Sequence, residues 1–170
     1  SRSDARLVSW GGEARDFAVL RHQACKHGLV LPVQLRNSSP NAAERIDLCR
    51  DVTALADKVH LHEYSAASGV PSKPSPADRI GHLAEAGEWD AVRDHCLADV
   101  ATIAVLAMRH LHTNALVECD DAQAAMSLST MVGQTFPESA FWQRDFRPWA
   151  RDRLRSSKLK GTVYRAAESV

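Results

Sequence analysis

Leu7-Val-Ser-Trp10 is a short apolar run that stops at Gly11-Gly12, a pattern that predicts a brief buried strand. From Asp16 to Lys26 the period changes: Phe17, Leu20 and Ala24 have helical spacing, and Gly28 is placed to end the helix. Leu29-Val-Leu-Pro32 is expected to return toward the core, and residues 36–43 form a polar loop. Ile46-Asp-Leu-Cys49 is an apolar run around an acid that leads into a helix reaching about Leu55. A further helix is expected from His62 to Ser68, closed by Gly69 and Pro71.

Ser72-Lys-Pro-Ser-Pro76 predicts a rigid polar turn, followed by a helix from Pro76 to Ala86 with Ile80, Leu83 and Ala84 on its apolar side. The longest predicted helix runs from Trp89 to His112. Val92, Cys96, Val100, Ile103 and Ala107 advance by three or four and draw one continuous apolar stripe. Asp120 to Met131 is compatible with another helix through Ala122, Ala125, Met126 and Ser129, capped by Asp120 or Asp121. The last forty residues interleave Phe136, Phe141, Trp142, Phe146, Trp149 and Tyr164 with arginines and lysines. Such a segment either stacks bases and neutralises phosphates, or docks its aromatics on the core and leaves its cations in water.

Composition narrows this picture. With 170 residues the chain is long enough for a domain with a real core. Lys+Arg and Asp+Glu are both 21, so a nucleic-acid-binding face would have to be local. No stretch approaches the roughly 18 apolar residues that cross a membrane. Cys25, Cys49, Cys96 and Cys119 are widely spaced with no C-x-x-C pair, which leaves a zinc ribbon unsupported. Their apolar neighbours predict buried thiols, and a reducing, cytoplasmic setting is the simplest expectation.

Three features carry candidate chemistry. Asp16 sits where the Gly-rich turn Trp10-Gly-Gly-Glu-Ala-Arg15 meets a helix. Asp47 lies inside an apolar run. His95 and Asp99 are four apart on the long helix, hence on one face. Two-metal phosphodiester hydrolysis needs carboxylates converging from several elements, with a His or Tyr to position the water. Each residue also has a plainer use: Asp16 or Asp47 as a helix cap, and the His95–Asp99 pair as a solvated surface interaction. His60, His62, His82, His110 and His112 fit structural or exposed roles better than a ligand set.

The order of these features resembles a predicted 3′–5′ exonuclease family related to the proofreading domain of family-B DNA polymerases, of the DEDD superfamily. Val8-Ser-Trp-Gly-Gly-Glu-Ala-Arg-Asp-Phe-Ala-Val-Leu-Arg-His22 is similar to its second motif. Lys26-His-Gly-Leu29, Ile46-Asp-Leu-Cys49 and Ala67-Ser-Gly-Val-Pro-Ser-Lys73 also look like the family. Val92-Arg-Asp-His-Cys-Leu-Ala-Asp-Val100 is similar to its third motif. The resemblance spans about residues 7–112.

The resemblance implies an α/β, ribonuclease-H-like exonuclease fold, helix-rich in this chain and without its N-terminal strands. Residues 1–115 would form a partial exonuclease domain, and 116–170 a helical extension. It implies Asp16 and Asp99 as metal carboxylates for Mg²⁺ or Mn²⁺, and His95 in place of the water-orienting tyrosine. Asp47 is a supporting aspartate. Trp10, Arg15 and Lys73, inside the matching segments, are the expected substrate-binding residues. The partner would be a 3′ end of single-stranded DNA or RNA and no membrane, with a homo-oligomer or further domain as an open expectation.

The chain also departs from that pattern. Gly11 stands for an Asn, Arg15 for an aromatic, and no Asp-x-Glu first motif occurs anywhere in the 170 residues. The two-metal site is therefore expected to be incomplete, and the chain inactive as it stands. The alternatives are a degenerate exonuclease fold that binds nucleic acid or protein, and a helical interaction module of other ancestry.

Overall fold

Strand β1 (Leu7–Ser9) pairs in parallel with β2 (Arg45–Asp47), in the register Leu7 with Arg45, Val8 with Ile46 and Ser9 with Asp47. This computed structural model describes residues 5–53, 59–73 and 79–160. Parallel strands cannot be joined by a tight turn, and the connection here runs through α1 (Asp16–Lys26) and the one-turn α2 (Val33–Arg36). The fold is helix-rich α/β with a small parallel sheet. The chain divides into two compact units, Ser1–Ser68 and Gly69–Val170.

In the first unit α1 begins and ends where the periodicity predicts. At its C-terminus Gly28 N–H donates to Cys25 O and Leu29 N–H to Ala24 O, at 3.3 and 2.8 Å, the paired bonds of a Schellman closure. That closure turns the chain outward. Leu29 and Val30 are 65% and 87% exposed, so the expected return of residues 29–32 to the core does not occur. Gln34 and Leu35 of α2 are buried instead. After β2 the chain passes directly into α3 (Leu48–Thr53), with Leu48 fully buried, and later α4 (Leu61–Ala67). The expected end of α3 near Leu55 lies outside the described residues.

The second unit is built from helices. Helix α5 (Arg79–Glu85) packs on α6 (Trp89–Thr113), α6 on α7 (Asp121–Thr135), and α7 on a final helix made of a π-helical turn (Trp142–Phe146) and α8 (Arg147–Leu159). The residues expected to start the α5 helix, 76–78, lie outside the described residues, as does Tyr164. Asp120 caps α7 by accepting from Ala122 and Gln123 N–H. The hydroxyl of Thr102 donates to Pro71 O and Ala98 O at 2.8 and 2.7 Å, tying the segment before α5 to α6.

The apolar stripe on α6 is rotated from the expected one. His95, Ala98, Ala101, Thr102, Val105 and Leu106 are buried together with Ala107 of the expected stripe, whereas Cys96 is exposed and Val100 is 64% exposed. Helix α6 is apolar or small on most of its surface, so periodicity alone admits two stripes. The alanine face is the one that lets neighbouring backbones approach closely.

The thiols differ from expectation too. Cys25 and Cys96 are exposed, Cys49 and Cys119 half-buried, and all four are free. Cys25 and Cys96 lie on the outer sides of α1 and α6, away from the faces that Ala24 and His95 bury. Most aromatics of the C-terminal segment turn inward: Phe141 and Phe146 are buried, and the Trp149 indole N–H donates to Gly69 O at 2.8 Å, whereas Phe136 is exposed. No helix among the described residues is long and apolar enough to cross a membrane.

Candidate active-site carboxylates and their surroundings

The Gly-rich turn after β1 is held from several sides. Gly11 N–H donates to Asp47 Oδ1 at 2.9 Å, which fixes the turn against the end of β2. A Cβ on Gly12 would lie 2.8 Å from Ser9 Oγ and 3.0 Å from the Phe17 ring, so only glycine fits between strand and helix. Phe17 N–H then bonds back to Gly12 O at 3.0 Å. Trp10 directs its indole N–H to Val59 O at 3.1 Å, with its ring 5.1 Å from that of Tyr64. Trp10, expected at the substrate, is thus engaged in the packing of its own unit.

Glu13, the remaining acid on this turn, is also occupied. Arg45 is buried and pairs with both Glu13 carboxylate oxygens, while donating to the carbonyls of Gln34, Asn37 and Ser39. Its guanidinium carbon lies 5.7 Å from the centroid of the Phe17 ring. Five hydrogen bonds satisfy a buried cation that would otherwise be costly. Sequence reasoning missed this cluster, because nothing in the chain marks Arg45, at the head of an apolar run, as a buried residue.

Asp16 is the first residue of α1 and is exposed. The position favours an anion, since unpaired N–H groups and the helix dipole point there. Arg15 precedes it, also exposed, and makes no side-chain cap. The plainer reading of Asp16 as a cap residue therefore fails: it stands inside the helix.

In the second unit α6 carries His95 and Asp99 one turn apart, as the spacing predicts. His95 is only 6% exposed, which removes the reading of the pair as a solvated surface interaction. Lys73 Nζ lies 3.0 Å from Asp99 Oδ2, with side-chain exposures of 12% and 31%. Two residues expected in different roles, substrate binding and metal binding, are thus partners of one ion pair. Further along, Asp121 receives Arg109 at 2.7 Å together with Arg153. Burial works to raise this carboxyl, but the hydrogen bonds and charges of Arg109 and Arg153 outweigh it and hold it below the ordinary value.

Among the described residues no three His, Cys, Asp or Glu side chains gather as a metal site. Asp47 is turned to Gly11, Glu13 to Arg45 and Asp99 to Lys73.

A family model described as a predicted 3′-5′ exonuclease related to the exonuclease domain of PolB matches residues 1–147. The chain belongs to this exonuclease family. The match is wider than the span of about residues 7–112 read from the motifs. It takes in Asp16, His95 and Asp99 and ends on the first residue of α8. No curated protein and no solved structure matches the chain. Within an exonuclease of this family, the turn held by Asp47 and the α6 pair are the segments of interest.

Proposed function

We propose that this chain is a ribonuclease-H-like 3′–5′ exonuclease domain acting on terminal phosphodiesters of single-stranded DNA or RNA. In this reading Asp16 and Asp99 are its carboxylates toward Mg²⁺ or Mn²⁺, and His95 positions the attacking water. The observation that carries the reading is the family match over residues 1–147, which includes all three residues. Support comes from the exposed carboxylate of Asp16 at a helix N-terminus and from the buried imidazole one turn before Asp99. Arg15 is exposed, with no ion pair among the described residues.

Among the described residues the carboxylates do not gather into a two-ion centre. Two such ions bring four positive charges, and hard oxygen ligands must offset most of them. Asp16 and Asp99 supply two negative charges, Lys73 already neutralises one of these, and no Asp-x-Glu occurs in the sequence. These same facts favour a second reading, a degenerate exonuclease fold that retains nucleic-acid binding without cleavage.

The test combines Mn²⁺ binding with a labelled-oligonucleotide assay on the 170-residue chain. Weak Mn²⁺ binding that is lost in both Asp16→Asn and Asp99→Asn, with little shortening of the oligonucleotide, is expected. Mn²⁺ binding indifferent to both substitutions would leave the binding-module reading. A robust ladder of products shortened from the 3′ end, lost in Asp16→Ala, would show a complete centre within these residues.

A further inference from the structure

The final helical segment divides its residues sharply between two sides. Phe141, Phe146 and Ala150 are buried. Elsewhere on its surface Arg147, Arg151, Arg155 and Lys158 of α8 advance by four, four and three residues, the spacing that keeps side chains on one helix face, and Arg144 precedes them in the π-helical turn. All of them except half-buried Arg147 are exposed. Arg155 has Asp152 at 3.3 Å, both well exposed, and Arg147 lies over the Trp142 ring. Arg144, Arg151 and Lys158 have no acidic partner among the described residues.

Residues 140–160 hold seven Lys or Arg and two Asp in a chain whose formal net charge is zero. This segment is therefore net positive, while residues 69–139 before it hold four Lys or Arg against ten Asp or Glu. Within the second unit such asymmetry draws a polyanion toward this helix.

We propose that this face of α8 and the turn before it docks the phosphodiester backbone of a single-stranded nucleic acid. The class of partner rests on the exonuclease reading; the surface rests on the charge row. Over 14 residues at about 1.5 Å each the row extends about 21 Å, long enough to follow several phosphates. Phe141 and Phe146 are committed to the interior, and the Trp149 N–H to Gly69. Binding is thus electrostatic, independent of base sequence and steep in salt. A basic helix that lies on an anionic membrane needs a free apolar face to insert, and here that face is already buried. The family match ends at Arg147, so Arg151, Arg155 and Lys158 are features of this chain beyond the matched residues.

The experiment is fluorescence anisotropy of the 170-residue chain with a labelled single-stranded oligonucleotide in EDTA, where no cleavage occurs. Between about 50 and 200 mM salt the affinity should fall roughly 50- to 130-fold, as four or five phosphate contacts to a single strand require. The triple substitution Arg144→Gln, Arg151→Gln, Arg155→Gln should reduce that fall to less than about tenfold. The corresponding triple change to lysine should keep the steep dependence. Asp152→Asn, which removes an acid beside the row, should tighten binding. Equal affinity and salt dependence for the glutamine and parent chains, with matching circular dichroism, would overturn the proposal. So would binding to anionic vesicles but not to the oligonucleotide. Cleavage with Mn²⁺ by a chain whose row is dispensable would sink the surface and leave the exonuclease reading. Row-dependent binding without cleavage or Mn²⁺ affinity would do the reverse.

Discussion

Lys73 Nζ sits 3.0 Å from Asp99 Oδ2, so the carboxylate expected to hold a divalent ion already holds an ammonium. A cation at that oxygen must compete with the lysine. Lys73→Met is therefore expected to raise the affinity for Mn²⁺ by up to about fivefold, the scale of a partly exposed ion pair. Isothermal titration of both chains measures it. Weaker or unchanged Mn²⁺ binding would remove Asp99 from the ligand set.

Arg45 and Glu13 answer a different question, that of stability. Arg45 is buried and anchors three carbonyls as well as Glu13. Truncation to Ala strands a carboxylate and several acceptors, so Arg45→Ala should cost about 3–5 kcal/mol in urea unfolding. Glu13→Gln should be destabilising by less and should leave Mn²⁺ affinity unchanged, because Glu13 is committed to Arg45. An unaffected midpoint for Arg45→Ala would show that the cluster does not hold the turn.

Acid should weaken the second unit through Asp121. Its carboxyl is held below the ordinary 3.8, burial acting upward and Arg109 and Arg153 downward. A group depressed in the folded state contributes stability in full above its unfolded value, and loses that contribution as pH falls through the lower folded value. Asp121→Asn should therefore lower the unfolding midpoint at neutral pH, with the gap to the parent narrowing below about pH 4. A gap independent of pH would mean that the two arginines do not stabilise the carboxylate.

Gly133→Ala tests the packing of α7. A Cβ there would overlap the Trp142 indole, whose N–H is fixed on Ser129 O at 2.8 Å. Overpacking of this kind costs about 1–3 kcal/mol, more than the roughly 1 kcal/mol that alanine gains over glycine in a helix. Net destabilisation in a urea titration is expected. A stabilised variant would show that the indole moves aside freely.

Much of this protein was legible along the chain. The bounds of α1, the long α6, the strand before the glycines and the Asp120 cap of α7 all follow from local rules: period, punctuation and capping. These act within a few residues, so the sequence carries them without knowledge of the fold. Five short segments in the right order between Val8 and Val100 sufficed to suggest the family. Tertiary structure alone decided which of two apolar stripes α6 buries, since a helix rich in alanine leaves that choice to its neighbours. It also decided that Leu29 and Val30 face water and that no thiol is buried. Above all, it committed Arg45 to Glu13, Asp47 to Gly11 and Lys73 to Asp99. Such pairings join residues 26 to 36 positions apart, and hydrogen bonds and ion pairs across the fold have no sequence period from which they could be read.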